Sequence, residues 1–167
     1  MPNYRRARVP GGQYFFTVAL ADRSSTLLVE RIDCLRLALH MARKARPFVM
    51  DAIVVLPDHL HCIWTLPDGD SNFAIRWAHV KTMFGRSLEK TNSLRESQAK
   101  RRERGIWQRR FWEHLIRNDE DQRRHLDYIH FNPVKHGWAK SPGEWPFSSF
   151  GRFVARGVYS GDWGGVV

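Results

Sequence analysis

At 167 residues with 43% apolar side chains, the chain has the length of one domain and enough apolar surface for a buried core, which excludes disorder as its main state. Lys and Arg number 27 against 17 Asp and Glu, and the formal charge of +10 favours a polyanionic partner, nucleic acid ahead of anionic membrane. Cys34 and Cys62 are the only cysteines, so neither a disulfide framework nor a cysteine-rich zinc module is available, and a reducing cytoplasm is the expected setting. No run approaches the roughly 20 apolar residues that cross a bilayer. The N-terminal RRARVPGGQYFFTVALA has the basic start of a secretory signal, but its apolar part is aromatic and alternates, as in a first β-strand.

In chain order, QYFFTVAL over 13–20 reads as that strand. DCLRLALHMARKA repeats Leu35, Leu39 and Ala42 at helical spacing, with Asp33 as the expected N-cap and Pro47 as the stop. FVMDAIVVL, a turn at Pro57 and Asp58, and HLHCIWTL form an expected antiparallel hairpin. Trp77, Val80, Phe84 and Leu88 then form one helical stripe, with Arg86 and Lys90 turned away. Residues 95–110 hold seven basic side chains against two acidic ones and read as a basic loop at about 93–106. RRFWEHLI reads as another strand. A helix follows from Asn118, with Asp119, Glu120 and Asp121 at its positive dipole end and Pro133 expected to stop it. Residues 135–167 form an aromatic-rich tail without clear periodicity. Strand, helix, hairpin, helix, strand, helix and tail indicate an α+β fold of the ferredoxin-like kind, an antiparallel sheet with helices on one face. Residues 1–134 make the expected catalytic domain, and 135–167 a tail packing on it.

His59 and His61 alternate along an extended strand and so share one face, which makes half of a metal site. In the last helix Tyr128 and Asn132 are four residues apart and share a face as well, near Asp121 and His125, while Leu126 and Ile129 point toward the core. With hairpin and helix side by side, His59, His61 and Asn132 could hold a divalent cation beside Tyr128. Breaking a phosphodiester requires charge neutralisation and a placed nucleophile, and a tyrosine oxygen serves once its phenolate is favoured. Two imidazoles and an amide suit Mg²⁺ or Mn²⁺, with histidine favouring Mn²⁺. Each residue also has an ordinary reading: a satisfied half-buried histidine pair, an edge-of-core tyrosine, an asparagine ending a helix. His125, His130 and His136 read as surface or phosphate-contacting residues. Arg5, Arg6, Arg8, Lys81, Arg101, Arg102, Arg104, Arg109 and Arg110 are the candidate DNA contacts, and Glu113 and His114 have no assigned role.

VVLPDHLHCIWTLP, GIWQRRFWEHLIRNDED, HLDYIHFNPVKHGW and WPFSSF, in that order over nearly the whole chain, resemble the REP-associated tyrosine transposases, relatives of the single-tyrosine HUH transposases. The resemblance implies the HUH nuclease fold, His59 and His61 as metal ligands, Asn132 as the third where many relatives carry glutamine, and Tyr128 as the nucleophile. It implies single-stranded REP hairpins with a short conserved foot as substrate, and a 5′-phosphotyrosine with a free 3′-OH as product. It further implies a bacterial, nucleoid-associated protein acting as a monomer, unlike dimeric relatives that exchange helices. A hairpin-binding protein of structural or regulatory output shares these features, as does a rolling-circle initiator or relaxase. Against the latter two, the chain is short and carries the REP-type motifs.

Overall fold

A computed structural model describes residues 6–91 and 105–165. The elements are β1 (Gln13–Ala19), α1 (Leu27–Glu30), α2 (Ile32–Ala45), β2 (Val49–Val55), β3 (His59–Thr65), α3 (Phe73–Thr91), β4 (Trp112–Leu115), α4 (Asp119–Lys135), a 3-10 turn (Pro142–Glu144) and α5 (Phe150–Ala155). The four strands lie in the order β2-β3-β1-β4, every neighbour antiparallel, which is the ferredoxin-like arrangement. Among the described residues no helix is long and apolar enough to cross a membrane.

Alternation splits the sheet's side chains between two cores. Tyr14, Phe16, Val18, Leu60, Cys62 and Trp64 face α2 and α3, where the stripe Trp77, Val80, Phe84 and Leu88 is buried against them. Phe15, Ala52, Val54 and Ile63 face the other way and meet Ile129 of α4 with Phe150, Phe153 and Tyr159 of the tail. The helices α2 and α3 cover one face as expected, and α4 lies over the opposite one. That placement creates a cleft between α4 and the far ends of β1, β3 and β4.

Several local expectations change. Asp33 sits inside the first turn of α2, with Arg31 at the cap and the one-turn α1 before it. The helix α4 runs two residues past Pro133 and ends at Gly137, whose φ of 75° lets its N–H reach Val134 O while Trp138 N–H reaches Pro133 O. Pro133 has no N–H to offer the preceding turn and costs one ladder bond, yet the helix continues past it and His136 N–H still reaches Asn132 O. The helix α4 starts from Asn118 as expected, and the Asn118 side chain caps it by accepting from Asp121 N–H. The tail is ordered by packing rather than by periodicity: Trp145 Nε1 donates to Val55 O, and Ser149 Oγ joins Ile53 N–H and C=O. Residues 93–104 of the expected basic loop lie outside the described residues; after them, Trp107 is buried and bridges Leu20 at the end of β1.

Candidate active site

The His-Leu-His alternation does what the strand period demands. His59 and His61 point to the α4 side, Leu60 and Cys62 into the opposite core, and the two imidazoles stand edge to face with centroids 4.9 Å apart. The Tyr128 ring lies 5.2 Å from His61 at 75°, and the His136 ring lies 5.3 Å from His59. Tyr128, Asn132 and His136 follow one another at four-residue spacing, so Asn132, between two residues that touch the pair, faces the pair itself. Asn132 is fully buried, whereas Tyr128 keeps 41% of its surface exposed. A phenol reachable by a large substrate therefore sits above buried nitrogen and oxygen donors.

Each imidazole is oriented by a partner. His59 Nδ1 is 2.8 Å from Asp58 Oδ1, and the other oxygen of Asp58 accepts from Arg23 Nε at 2.6 Å. Burial works against the Asp58 charge, yet the hydrogen bonds from Arg23 and His59 hold its carboxyl below the usual range. His61 Nδ1 lies 2.8 Å from Thr17 Oγ1 on β1. With both Nδ1 atoms occupied, Nε2 is the nitrogen each ring offers to an ion. Burial lowers the His59 pKa despite the opposing pull of Asp58; burial first, then the His59 and His136 rings, push His61 down to about 3. Both rings are then in the neutral state that a metal requires.

Burial likewise takes His130 down to about 4, held between Ser149 and Tyr159. That residue is fully buried, not at the surface as its sequence suggested. A histidine whose folded pKa is depressed binds fewer protons folded than unfolded, so stability is full above the unfolded value of about 6.5 and is lost as pH falls from there toward the folded values. At pH 5, His61 and His130 should each cost about 2 kcal/mol relative to pH 8. Urea midpoints at pH 8, 6 and 5 test this: a steady fall is expected, and a constant midpoint would contradict the burial of neutral rings.

Asn132 Oδ1 and Nδ2 and His61 Nε2 are buried without a hydrogen-bond partner among the described residues. Orphaned buried polar atoms cost roughly 1–3 kcal/mol each. Two imidazoles with centroids 4.9 Å apart and a buried amide on the helix face that carries Tyr128 and His136 are also a donor set that a divalent cation such as Mn²⁺ accepts, so the residues fit such an ion. Asn132→Leu is accordingly expected to stabilise the metal-free protein by about 1–2 kcal/mol while weakening Mn²⁺ binding at least about tenfold. Thermal melts in chelator and Mn²⁺ titrations measure the two effects separately; a destabilised variant with unchanged affinity would assign Asn132 to structure alone.

Comparison with known proteins places this geometry. No family model matches the chain. A REP-associated tyrosine transposase of Escherichia coli K12 is 49% identical over 167 residues, covering 100% of this chain and 93% of the relative. The chain belongs to the REP-associated tyrosine transposases. A relative from Haemophilus influenzae, named as a putative member, is 49% identical over 99% of this chain and 94% of its own length. A REP-associated tyrosine transposase solved bound to a REP hairpin superposes with a TM-score of 0.87 at 49% identity, over 100% of this chain and 93% of that one. A putative transposase of Deinococcus radiodurans shares the fold, with a TM-score of 0.51 at 17% identity over 76% of this chain and 95% of its own.

In this transposase the expected DNA contacts divide. Arg8, Arg109 and Arg110 are exposed. Arg6 lies 3.4 Å from the buried Glu113 carboxylate with its guanidinium 4.1 Å above Phe111, and Lys81 donates to Gln108 O with its pKa lowered by burial. Those two cations tie the N-terminal segment and α3 to the β4 side. Arg5, Arg101, Arg102 and Arg104 lie outside the described residues. Glu113 thus gains a partner in Arg6, and His114 one in Asp121 Oδ2 at 2.8 Å. Neither was legible beforehand, because both depend on the pairing of β4 with β1. Thr17, Asp58 and Lys135 are further site residues that sequence reasoning passed over. The Lys135 ammonium stands 4.9 Å from the Tyr128 ring centre; its place in the NPVKHG run, one helical turn beyond Asn132, was the available signal.

Proposed function

We propose that the chain is a metal-dependent single-strand DNA endonuclease and strand transferase that acts on REP hairpins through a 5′-phosphotyrosine at Tyr128. The observation that carries this reading is the half-exposed Tyr128 phenol set edge-on to His61, above buried donors of His61 and Asn132 that have no partner among the described residues. The 49% identity to a transposase solved with a REP hairpin supports the substrate class. The cation that His59, His61 and Asn132 would hold, Mg²⁺ or Mn²⁺, supplies charge neutralisation on the scissile phosphate.

The remaining steps belong to the chain. Tyr128 Oη attacks phosphorus, the P–O3′ bond breaks, and the 5′ phosphate stays on the tyrosine while the departing 3′ oxygen takes up a proton. Rejoining is the same exchange run with a 3′-OH as attacker. Lys135 sets a positive charge beside the ring as the phenolate forms. Asp58 and Thr17 hold the imidazoles in register, and the T-shaped contact of Tyr128 with Phe15, centroids 5.9 Å apart, fixes the phenol's approach. Arg8, Arg109 and Arg110 bind the phosphate backbone, together with the basic residues at 101–104. The protein acts as a monomer, with His59, His61 and Tyr128 of one chain completing the site. Residues 1–134 form the catalytic unit and the aromatic tail its cover. The cellular setting is the bacterial cytoplasm, at the nucleoid.

The experiment is incubation with labelled single-stranded REP hairpin DNA and Mn²⁺ or Mg²⁺, resolved on a denaturing gel. A metal-dependent covalent adduct is expected. Tight binding without an adduct under either ion would favour a hairpin-binding protein instead.

A further inference from the structure

On the β4 side of Tyr128 the same sheet face opens into a second cleft of about 520 Å³, a size within the range of small-ligand sites. Trp112, His114, Arg117, Arg124 and His125 line it, with Tyr128 at its rim. Phe15 separates it from the histidine pair by a single side chain: its ring lies 5.6 Å from His61, 5.9 Å from Tyr128 and 4.8 Å from His125. The cleft is therefore one side chain away from a phosphate placed at Tyr128 beside the histidine pair, within reach of a neighbouring nucleotide.

The cleft is built around a buried carboxylate. Asp121 accepts from His114 Nε2 at 2.8 Å and from Arg117 N–H at 3.0 Å, and His125 Nδ1 lies 3.2 Å from Asp121 Oδ1 and 2.7 Å from its backbone carbonyl. The two imidazoles stack almost parallel, 17° apart with centroids at 4.5 Å. Their potential ligand atoms and that of Asp121 all lie within 4.8 Å of one another, close enough for a cation by distance alone. Stacked rings argue against it: lone pairs lying in two parallel planes run side by side and do not converge on a point, and the nitrogens nearest Asp121 already engage it. What the cleft offers a ligand is flat surface and positive charge. Trp112 is 55% exposed, the Arg117 side chain is 71% exposed, and Arg124 is exposed too. Aromatic faces with guanidinium groups match an unpaired nucleotide, base on the planes and phosphate on the cations.

We propose that this cleft is a nucleotide subsite, taking the unpaired nucleotide next to the phosphate that Tyr128 attacks, with Trp112 and the stacked imidazoles against its base and Arg117 and Arg124 at its phosphate. The assignment rests on Tyr128 being the nucleophile.

The test uses the full chain in chelator, so that binding is read without cleavage. An abasic site is moved one position at a time along the unpaired foot of a REP hairpin probe, and binding is followed by fluorescence polarisation. One position, adjacent to the cleaved phosphate, should weaken wild-type binding about tenfold; Trp112→Ala should weaken the intact probe equally, and the two together should be no worse than either alone. Arg124→Ala, a change at an exposed residue, should reduce the salt dependence by about one phosphate contact. Additive losses, or a Trp112→Ala variant that is folded by circular dichroism and binds as wild type, would overturn the subsite. So would a His59→Ala/His61→Ala protein that retains one tight Mn²⁺ and loses it on His114→Ala, since the cluster would then be a metal site. Adduct formation with Mn²⁺, measured on the same proteins, keeps the two claims apart. An adduct without the coupling removes only the subsite, whereas coupling without an adduct removes the nucleophile, and with it the subsite's place beside an attacked phosphate, leaving only a cleft that binds a nucleotide.

Discussion

Tyr128→Phe should abolish the covalent protein–DNA adduct, a loss of at least about a thousandfold that no other residue in the cleft can restore, while hairpin affinity and Mn²⁺ affinity stay within about twofold of wild type. The reasoning is geometric. Removing one oxygen from a ring that is 41% exposed disturbs no buried hydrogen bond, and the edge contacts of the ring with His61 and Phe15 survive. Stability should therefore be unchanged, and the variant isolates chemistry from binding. Gel-resolved adduct yield together with polarisation binding makes the measurement. Residual adduct at more than a few per cent of wild type would point to a different nucleophile.

His61→Ala should weaken Mn²⁺ binding by at least about a hundredfold, beyond the roughly 10–100-fold that follows loss of a partner merely supporting a ligand. His61 is the deeper ring of the pair, 3% exposed, with its Nε2 unpartnered among the described residues and its Nδ1 fixed by Thr17. Its neutral state persists down to about pH 3, so the metal affinity of the wild type should fall only gently on mild acidification, and the variant's loss should be as large at pH 6 as at pH 8. Electron paramagnetic resonance titration of Mn²⁺ measures both. An affinity equal to wild type would show that His61 is a packed core histidine and no ligand.

Much of this was legible in the sequence, and the reason is periodicity. Period two through β3 placed His59 and His61 on one face, and period 3.6 through α4 placed Tyr128 on the face of Asn132. What local pattern does not carry is which side of the sheet a helix takes. The helix α4 presents Ile129 to the Phe15 face, opposite α2 and α3, and only that choice sets the phenol over the histidines. Strand register is equally non-local. The pairing of Phe15 with His114 brings a residue on β4 to Asp121 and His125, and so builds the second cleft. His130 illustrates the same limit from the other direction. A polar residue in a charged helix reads as surface, yet the tail returns to bury it against Ser149 and Tyr159. The Asp58 partner to His59 was adjacent in sequence and still escaped notice, because a turn aspartate already had a sufficient explanation in the turn.

The most direct test of Tyr128 as the DNA-linked residue is to map the attachment. Trypsin cleavage after Arg124 and Lys135 releases HLDYIHFNPVK, in which Tyr128 is the one hydroxyl side chain. After reaction with REP hairpin DNA and Mn²⁺, then nuclease trimming, mass spectrometry of this peptide should show a nucleotide joined through its 5′ phosphate to Tyr128. The same mass added to any other peptide, or a cleaved strand with no modified peptide, would contradict the mechanism at its centre.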